Sequence, residues 1–392
     1  VAVLDPLGGS RPLAEVAVGA DDHARVSRLL AVALEGTGPA LLPRAGEEQA
    51  MPVAGAPVAG GVADRIALVV ETSGSTGYPK RVALSAGALR ASHAASGRAL
   101  GGPGQWLLAL PPHYIAGVQV LIRSLLDGTE AVAAPQGPFR PDGFVAAAAL
   151  LDPGVRHYTS LVPVQLSRLL DDEEGVAALT RFDGVVVGGQ RLPLPLAERA
   201  AAVGVRLHRS YGSSETAGGC VYDGVPFDGV ELSVADGEVA VGGAVLAEGY
   251  LGDPRLTAER FRGEGARRRY LTGDTGSIEG GVLGVSGRRD RVLVSGGTNV
   301  SLDRLEAVLR DRPGWDGVVV LARDDEQWGQ VPVVVAAVDV DLAEARAIAA
   351  QAIGVAAQPA AVRRLDTVPM TASGKPDRVA IARLLAPAGP RH

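Results

Sequence analysis

Between residues 64 and 212 the chain alternates short β-rich runs with longer segments of helical pattern, and few folds accommodate that order. Residues 66–71 (IALVVE), 106–110 (WLLAL), 157–162 (HYTSLV), 182–189 (FDGVVVGG) and 205–212 (VRLHRSYG) read as strands. Residues 85–100, 115–127, 141–151, 163–172 and 193–202 read as helices, and several open on Ser or Pro, which helix starts favour. The alternation predicts an α/β fold built on a doubly wound sheet. Ligands of such sheets sit beyond the carboxyl ends of the strands, so the loops there are where chemistry is expected.

Residues of about 221–286 are punctuated by Gly and predict a small antiparallel β subdomain. From Arg288 a third pattern begins, strand 291–294, helix 301–310, strands near 317–322 and 331–338, helix 341–353 and a short strand 361–365, which predicts a small α+β unit. The expected organisation is therefore an N-terminal domain over 1–287 and a C-terminal domain over 288–392. A length of 392 residues with 47% hydrophobic content suits two or three such units with real cores.

A net charge of −6 argues against a general nucleic-acid binder, which needs a basic surface to displace counterions from phosphates. The lone Cys220 supports neither an internal disulfide nor a multi-thiolate metal site and fits a reducing cytoplasm. No apolar run approaches the roughly 18 to 20 residues of a membrane span, and the start lacks the features of a signal peptide. A cytoplasmic location without membrane attachment is the expectation, and a homo-oligomer stays open.

The strongest local signal is the string T-S-G-S-T-G-Y-P-K, residues 72–80, directly after the strand 66–71 and before a helix. Small and hydroxyl residues let backbone N–H and side-chain O–H groups surround phosphate oxygens, and Lys80 adds a positive charge. The string is not a Walker A loop, because Pro79 separates Gly77 from the lysine and no Lys-Ser/Thr pair follows.

With this string the chain resembles the adenylate-forming superfamily of acyl-CoA synthetases, peptide-synthetase adenylation domains and luciferases. Four further segments occur in the family's order: Y-G-S-S-E-T (211–216), Y-L-T-G-D (270–274), G-R-R-D-R (287–291) and T-A-S-G-K (371–375). Each alone is an ordinary turn; together they span nearly the whole chain. The resemblance implies that Thr72, Ser73, Gly74, Ser75, Thr76, Gly77 and Lys80 hold the phosphates of ATP. It implies that Tyr211 stacks on adenine with Gly212 and Ser214 beside it, that Glu215 holds Mg²⁺, and that Asp274 and Arg288 face the ribose. Gly188, Gly189 and Gln190 join the adenine pocket. Lys375 becomes the catalytic lysine between the substrate carboxylate and the α-phosphate, where two anions must meet. The C-terminal domain is then mobile, with Asp290 as hinge and Ser295, Gly296 and Gly297 lining a tunnel for CoA.

Among superfamily members the chain is short, and its residues 211–230 and 110–125 are similar to those of the o-succinylbenzoyl-CoA synthetases of menaquinone biosynthesis, actinobacterial type. That branch implies an aromatic dicarboxylic acid, ATP and CoA as substrates. Arg123 then meets the carboxylate that does not react, with His113, Tyr114 and Ser213 near the acyl group. The branch usually carries His where Tyr114 stands, and Arg81 replaces a common Gly without an evident reason. Another short aryl- or acyl-CoA ligase, amino-acid adenylation and a non-enzymatic nucleotide-binding protein are the competing readings. The segment Pro-Pro-His-Tyr-Ile lacks the aspartate that would hold an α-ammonium group, and the retained Lys375 loop speaks against loss of catalysis.

Overall fold

Five consecutive residues, Ile66 to Val70, have no accessible surface at all, which requires cover on both faces of their strand. In the computed structural model, which describes residues 9–18, 22–46, 61–72, 80–135, 137–371 and 375–385, this strand, Ile66–Thr72, is central to a five-stranded sheet. The order is Gly249–Tyr250, Lys80–Ser85, Ile66–Thr72, Ala40–Ala45, Leu13–Val18. The last three are parallel, and Lys80–Ser85 runs antiparallel to Ile66–Thr72.

That antiparallel strand, unread from sequence, stands between the phosphate-loop string and the helix expected over 85–100. Thr72 pairs with Lys80, so residues 73–79 connect the two arms of a hairpin. The helix Ala86–Leu100 follows only after Ser85, whose Oγ accepts Ala88 N–H at 3.2 Å as its cap. The run V-A-L is compatible with either helix or strand by periodicity; burial of Val82, Ala83 and Leu84 together settles it as a sheet-core strand. Ser73, Gly74, Ser75, Thr76 and Gly77 lie outside the described residues.

The second sheet has seven strands in the order Val225–Pro226, Gly218–Tyr222, Leu207–Ser213, Gly184–Val187, His157–Leu161, Gln105–Leu108, Val132–Ala133. The five from Leu207–Ser213 to Val132–Ala133 are parallel, with helices Ile115–Leu126, Pro141–Ala148, Pro163–Leu170 and Leu194–Ala202 between them in sequence. The doubly wound expectation holds, with element ends shifted by up to three residues. Alternation along Gly184–Val187 assigns its faces: Val186 joins one core with Leu30, Leu68, Leu89 and Ile122, while Val185 and Val187 join another with Phe144, Leu166 and Phe182. The first of these cores lies between the two sheets. It also takes in the helix His23–Glu35, unread from sequence, whose Val26, Leu30, Ala33 and Leu34 form one buried stripe.

A third sheet, Val230–Ala235, Glu238–Gly243, Arg269–Glu279 and Phe261–Arg262 with Val282–Arg288 against the long strand, is antiparallel throughout. It begins at 230 rather than about 221, because Gly218–Tyr222 pairs back onto Leu207–Ser213. The last sheet orders Thr298–Ser301, Val292–Ser295, Gly329–Ala336 and Val319–Asp325, with Ala361–Arg364 beside Gly329–Ala336. Helices Leu302–Arg310, Leu342–Ala352 and Arg378–Leu385 complete this C-terminal unit. It docks through Asp311, which accepts Leu194 N–H at 3.2 Å and Arg191 Nη2 at 3.3 Å, and through Arg289, 2.7 Å from Glu238. Among the described residues no helix is long and apolar enough to cross a membrane.

Candidate active site

The strand Leu207–Ser213 ends on Tyr-Gly-Ser, and its Gly212 is enforced by space: a Cβ there would sit 2.2 Å from the Gly218 carbonyl oxygen. Ser213 then caps the single turn Ser214–Thr216, its Oγ accepting Glu215 N–H at 3.2 Å while Ser213 N–H donates to Thr216 Oγ1 at 2.9 Å. The turn delivers Glu215, buried, to the wall of a cavity of about 760 Å³ at the carboxyl ends of the parallel strands. Tyr250 OH donates to Glu215 Oε1 at 2.8 Å, and Lys80 Nζ lies 5.7 Å from the centre of the Tyr250 ring. Ser213, Ser214, Gly188, Gly189 and Thr72 line the same cavity. Gln190 does not.

On another wall, Tyr211 OH donates to Asp274 Oδ2 at 2.8 Å and Arg288 Nη1 lies 3.3 Å from Asp274 Oδ1. Burial raises the Asp274 carboxyl above the ordinary range, opposed by the Tyr211 hydroxyl and the Arg288 charge. Burial, then the Asp274 charge, raises the Tyr211 phenol. Arg288 also grips Asp290 in a two-point pair, Nε to Oδ1 at 2.9 Å and Nη2 to Oδ2 at 3.1 Å, and this pairing lowers the Asp290 carboxyl.

Lys375 reaches this cavity from the C-terminal unit. Thr371 closes its loop, with Thr371 N–H donating to Lys375 O at 2.7 Å and Lys375 N–H to Thr371 Oγ1 at 3.2 Å. The residue is exposed at the cavity mouth, yet protein crowds its ammonium: burial is the largest cause of a lowered pKa and the Arg288 charge the next, with Asp274 and Glu215 pulling the other way.

Another part of the cavity wall is formed by the helix Ile115–Leu126, whose residues 117–124 are all buried between the sheets. A Cβ on Gly117 would meet Pro111 O at 2.2 Å, so glycine lets the helix start tight against its own entry loop. Arg123 is 4% exposed, lines the cavity, and stacks its Cζ 4.8 Å from the centre of the Trp106 ring. Its Nε is a buried donor without a partner, while Tyr222 and the Asp127 charge interact with the rest of the guanidinium. A helix-surface arginine is thereby excluded. The nearby Asp127 is engaged elsewhere, by Gly104 N–H at 3.0 Å and His93 Nε2 at 3.3 Å.

Tyr114 lines the cavity, whereas His113 is buried behind it, ring centres 4.2 Å apart, with Nε2 unpartnered. Burial pushes the His113 imidazole down to about 4. Ser295, Gly296 and Gly297 sit away from the cavity, on the turn between Val292–Ser295 and Thr298–Ser301, where Gly296 N–H donates to Trp328 O at 2.9 Å. Arg81 finds its reason across the hairpin: it pairs with Glu71, Nε to Oε1 at 3.0 Å, and Glu71 also holds Arg44 at 3.2 Å. Gln119, Tyr250 and Arg260 line the cavity and belong to no motif. One overlooked signal was available: the chain has only two lysines among 38 basic residues, and both Lys80 and Lys375 stand on this cavity.

Residues 11–251 match the AMP-binding enzyme family and residues 304–375 its C-terminal domain. A probable 2-succinylbenzoate–CoA ligase of Mycobacterium tuberculosis is 42% identical over 335 residues, covering 82% of this chain and 85% of that protein.

The chain belongs to the AMP-binding enzyme family.

Among solved structures, this AMP-binding enzyme is similar in fold to the o-succinylbenzoate CoA synthetase of Bacillus subtilis in complex with its acyl-adenylate intermediate, with TM-score 0.74, 23% identity and coverage of 96% of this chain and 88% of that one. It is also similar in fold to the amide bond synthetase of Marinactinospora thermotolerans, with TM-score 0.73, 24% identity and coverage of 95% and 79%. As an AMP-binding enzyme it meets the α/β fold expectation and its small C-terminal unit. Its described residues hold no cluster of three or more His, Cys, Asp or Glu side chains fit to bind a metal alone.

Proposed function

We propose that this AMP-binding enzyme is a cytoplasmic, ATP-dependent acid–thiol ligase that converts o-succinylbenzoate to o-succinylbenzoyl-CoA through an acyl-adenylate, releasing AMP and pyrophosphate. The observation that carries the substrate is Arg123. A buried guanidinium that touches no carboxylate of the described residues directly is costly to hold, and an anion delivered by the ligand offsets that cost while the Trp106 face holds the cation in place. A diacid supplies one carboxylate for reaction and one for Arg123. The 42% identity to a probable 2-succinylbenzoate–CoA ligase supports the same choice.

The first half-reaction joins two anions, a carboxylate and the α-phosphate, so charge compensation dominates it. Lys375 donates to both at the cavity mouth, and its lowered pKa reflects the crowding that makes this donation strong. Lys80 and the hydroxyls of the 72–80 string hold the departing pyrophosphate, and Asp274, fixed by Tyr211 and Arg288, accepts the ribose hydroxyls. Glu215, an oxygen donor oriented by Tyr250, fits a Mg²⁺ ion whose other ligands come from phosphate and water, and the ion would spread the phosphate charge. In the second half-reaction the lid beyond about residue 287 turns about Asp290, Lys375 withdraws and residues 295–297 form part of the path by which the CoA thiol reaches the acyl carbonyl and expels AMP.

Pyrophosphate release across o-succinylbenzoate, benzoate, medium-chain fatty acids and amino acids, with the product mass determined, tests this reading. Selective turnover of the diacid to its CoA thioester is expected. Preference for a monoacid would replace the substrate, and an amide product would replace the second half-reaction.

A further inference from the structure

Resting on the two-step reading above, we propose that Glu306 is the positioning residue that ties the hinge to Lys375, so that the lid presents its lysine at a fixed place. Glu306 is 5% exposed in the helix Leu302–Arg310 and gathers three arginines from separate parts of the lid. Arg378 Nη2 reaches Oε1 at 2.8 Å and Oε2 at 2.9 Å; Arg310 Nη2 reaches Oε1 at 2.9 Å; Arg291 Nη2 is 3.4 Å from Oε2, which also accepts Val320 N–H at 3.0 Å.

Two of these arginines bear on function by their places in the chain. Arg291 directly follows Asp290, and its Nε lies 2.7 Å from Asp303 Oδ1 while Asp303 Oδ2 accepts the backbone N–H of Arg288 at 2.9 Å. Arg378 comes three residues after Lys375 and opens the final helix Arg378–Leu385. Between them the chain is stiff: Met370 and Pro376 form a β-bridge, and Asp377 N–H donates to Pro369 O at 2.9 Å. Near its end the lysine loop is tied into the lid body by the charged Arg378–Glu306 pair, beside the apolar packing of Ile381 on Val319 and Val335, and the hinge shares that carboxylate through Arg291. A buried carboxylate with charge-assisted donors holds geometry better than an exposed pair, because losing one partner strands a charge. Arg310 makes the same kind of contact but leads neither to the hinge nor to Lys375, which makes it the internal control.

The test separates the half-reactions in Arg378→Met, Arg378→Lys, Glu306→Gln and Arg310→Met. For Arg378→Met and Glu306→Gln, single-turnover adenylation falls roughly tenfold or more while the KM for ATP and CoA attack on a supplied acyl-adenylate stay within about twofold. Arg378→Lys recovers part of the loss, and Arg310→Met behaves as the parent. A second readout needs no acid: with only two lysines in the chain, amine-selective labelling followed by peptide mass reports Lys375 against Lys80. Freeing the loop moves the Lys375 labelling midpoint up in pH in Arg378→Met and leaves Lys80 in place. Glu306→Gln that fails to fold leaves Arg378→Met to decide. Parent-like adenylation and labelling in Arg378→Met, equal loss of both half-reactions with unmoved Lys375 labelling, or an Arg310→Met defect of the same size would each overturn the proposal. Inertness of the parent enzyme toward the diacid would instead sink the substrate reading, and the labelling comparison would still decide this one.

Discussion

Arg123 holds its guanidinium carbon 4.8 Å from the centre of the Trp106 ring, on the wall of a cavity, with its Nε a buried donor that has no partner. A cation so placed is compensated by an aromatic face and by whatever anion enters. Replacing Arg123 with Met keeps the stem and removes the charge. The KM for a diacid is expected to rise by a factor that corresponds to about 1.5 to 3 kcal/mol, with the KM for ATP unmoved. Steady-state kinetics with both substrates varied checks this, and an unchanged diacid KM would remove the carboxylate contact.

Lys375 is the single ammonium the lid contributes to the cavity. Lys375→Met is expected to slow adenylation by roughly 10²- to 10³-fold, the usual loss when one donor to a charged transition state goes. Thioester formation from supplied acyl-adenylate should persist. Rapid-quench measurement of each half-reaction decides between this assignment and a general structural role, for which both would fall together.

Asp290 is held by both nitrogens of one Arg288 face, at 2.9 and 3.1 Å, in the short turn Arg289–Arg291. A proline there restricts the φ change that a pivot needs. Asp290→Pro is expected to slow thioester formation about tenfold or more while adenylation changes by no more than a few-fold. Symmetric slowing would move the hinge elsewhere.

His113 titrates near 4 when folded, against an ordinary value of about 6.5, because burial disfavours its charged form. Between those values the unfolded chain binds the extra proton. The stability that His113 contributes is therefore complete above about pH 6.5 and is lost as the pH falls toward 4. From pH 7 to pH 5 its share of the loss is about 2 kcal/mol. Urea unfolding of the parent and His113→Gln at the two pH values should show a smaller drop in the variant; equal drops would count against a buried neutral imidazole.

Asp311 accepts Leu194 N–H and Arg191 across the contact between lid and body. Asp311→Ala removes both and should weaken the lysine-in arrangement by about 1 kcal/mol, a few-fold loss in adenylation that added salt does not deepen in the variant. Salt titration of the adenylation rate in parent and variant measures it, and identical salt curves would show that the contact does not hold the lid.

What local sequence determined is what local physics controls. Continuous β-branched runs such as that within 184–187 and capped segments such as 86–100 were readable because buried strands and helix starts are decided within a few residues. Glu215, Asp274, Arg288 and Lys375 were singled out by the resemblance of their short strings to those of a family, since each string alone is an ordinary turn. Tertiary structure decided the rest. Lys80–Ser85 became a strand because Ile66–Thr72 offered it a partner, and Arg81 is explained by Glu71 opposite it in that pairing. Whether Arg123 was a surface charge or a buried one depended on two sheets closing over the helix Ile115–Leu126. The meeting of Lys375 with Glu215, 160 positions earlier, required the lid to dock. Charge environment is a sum over residues far apart in the chain, and only the fold brings them within reach.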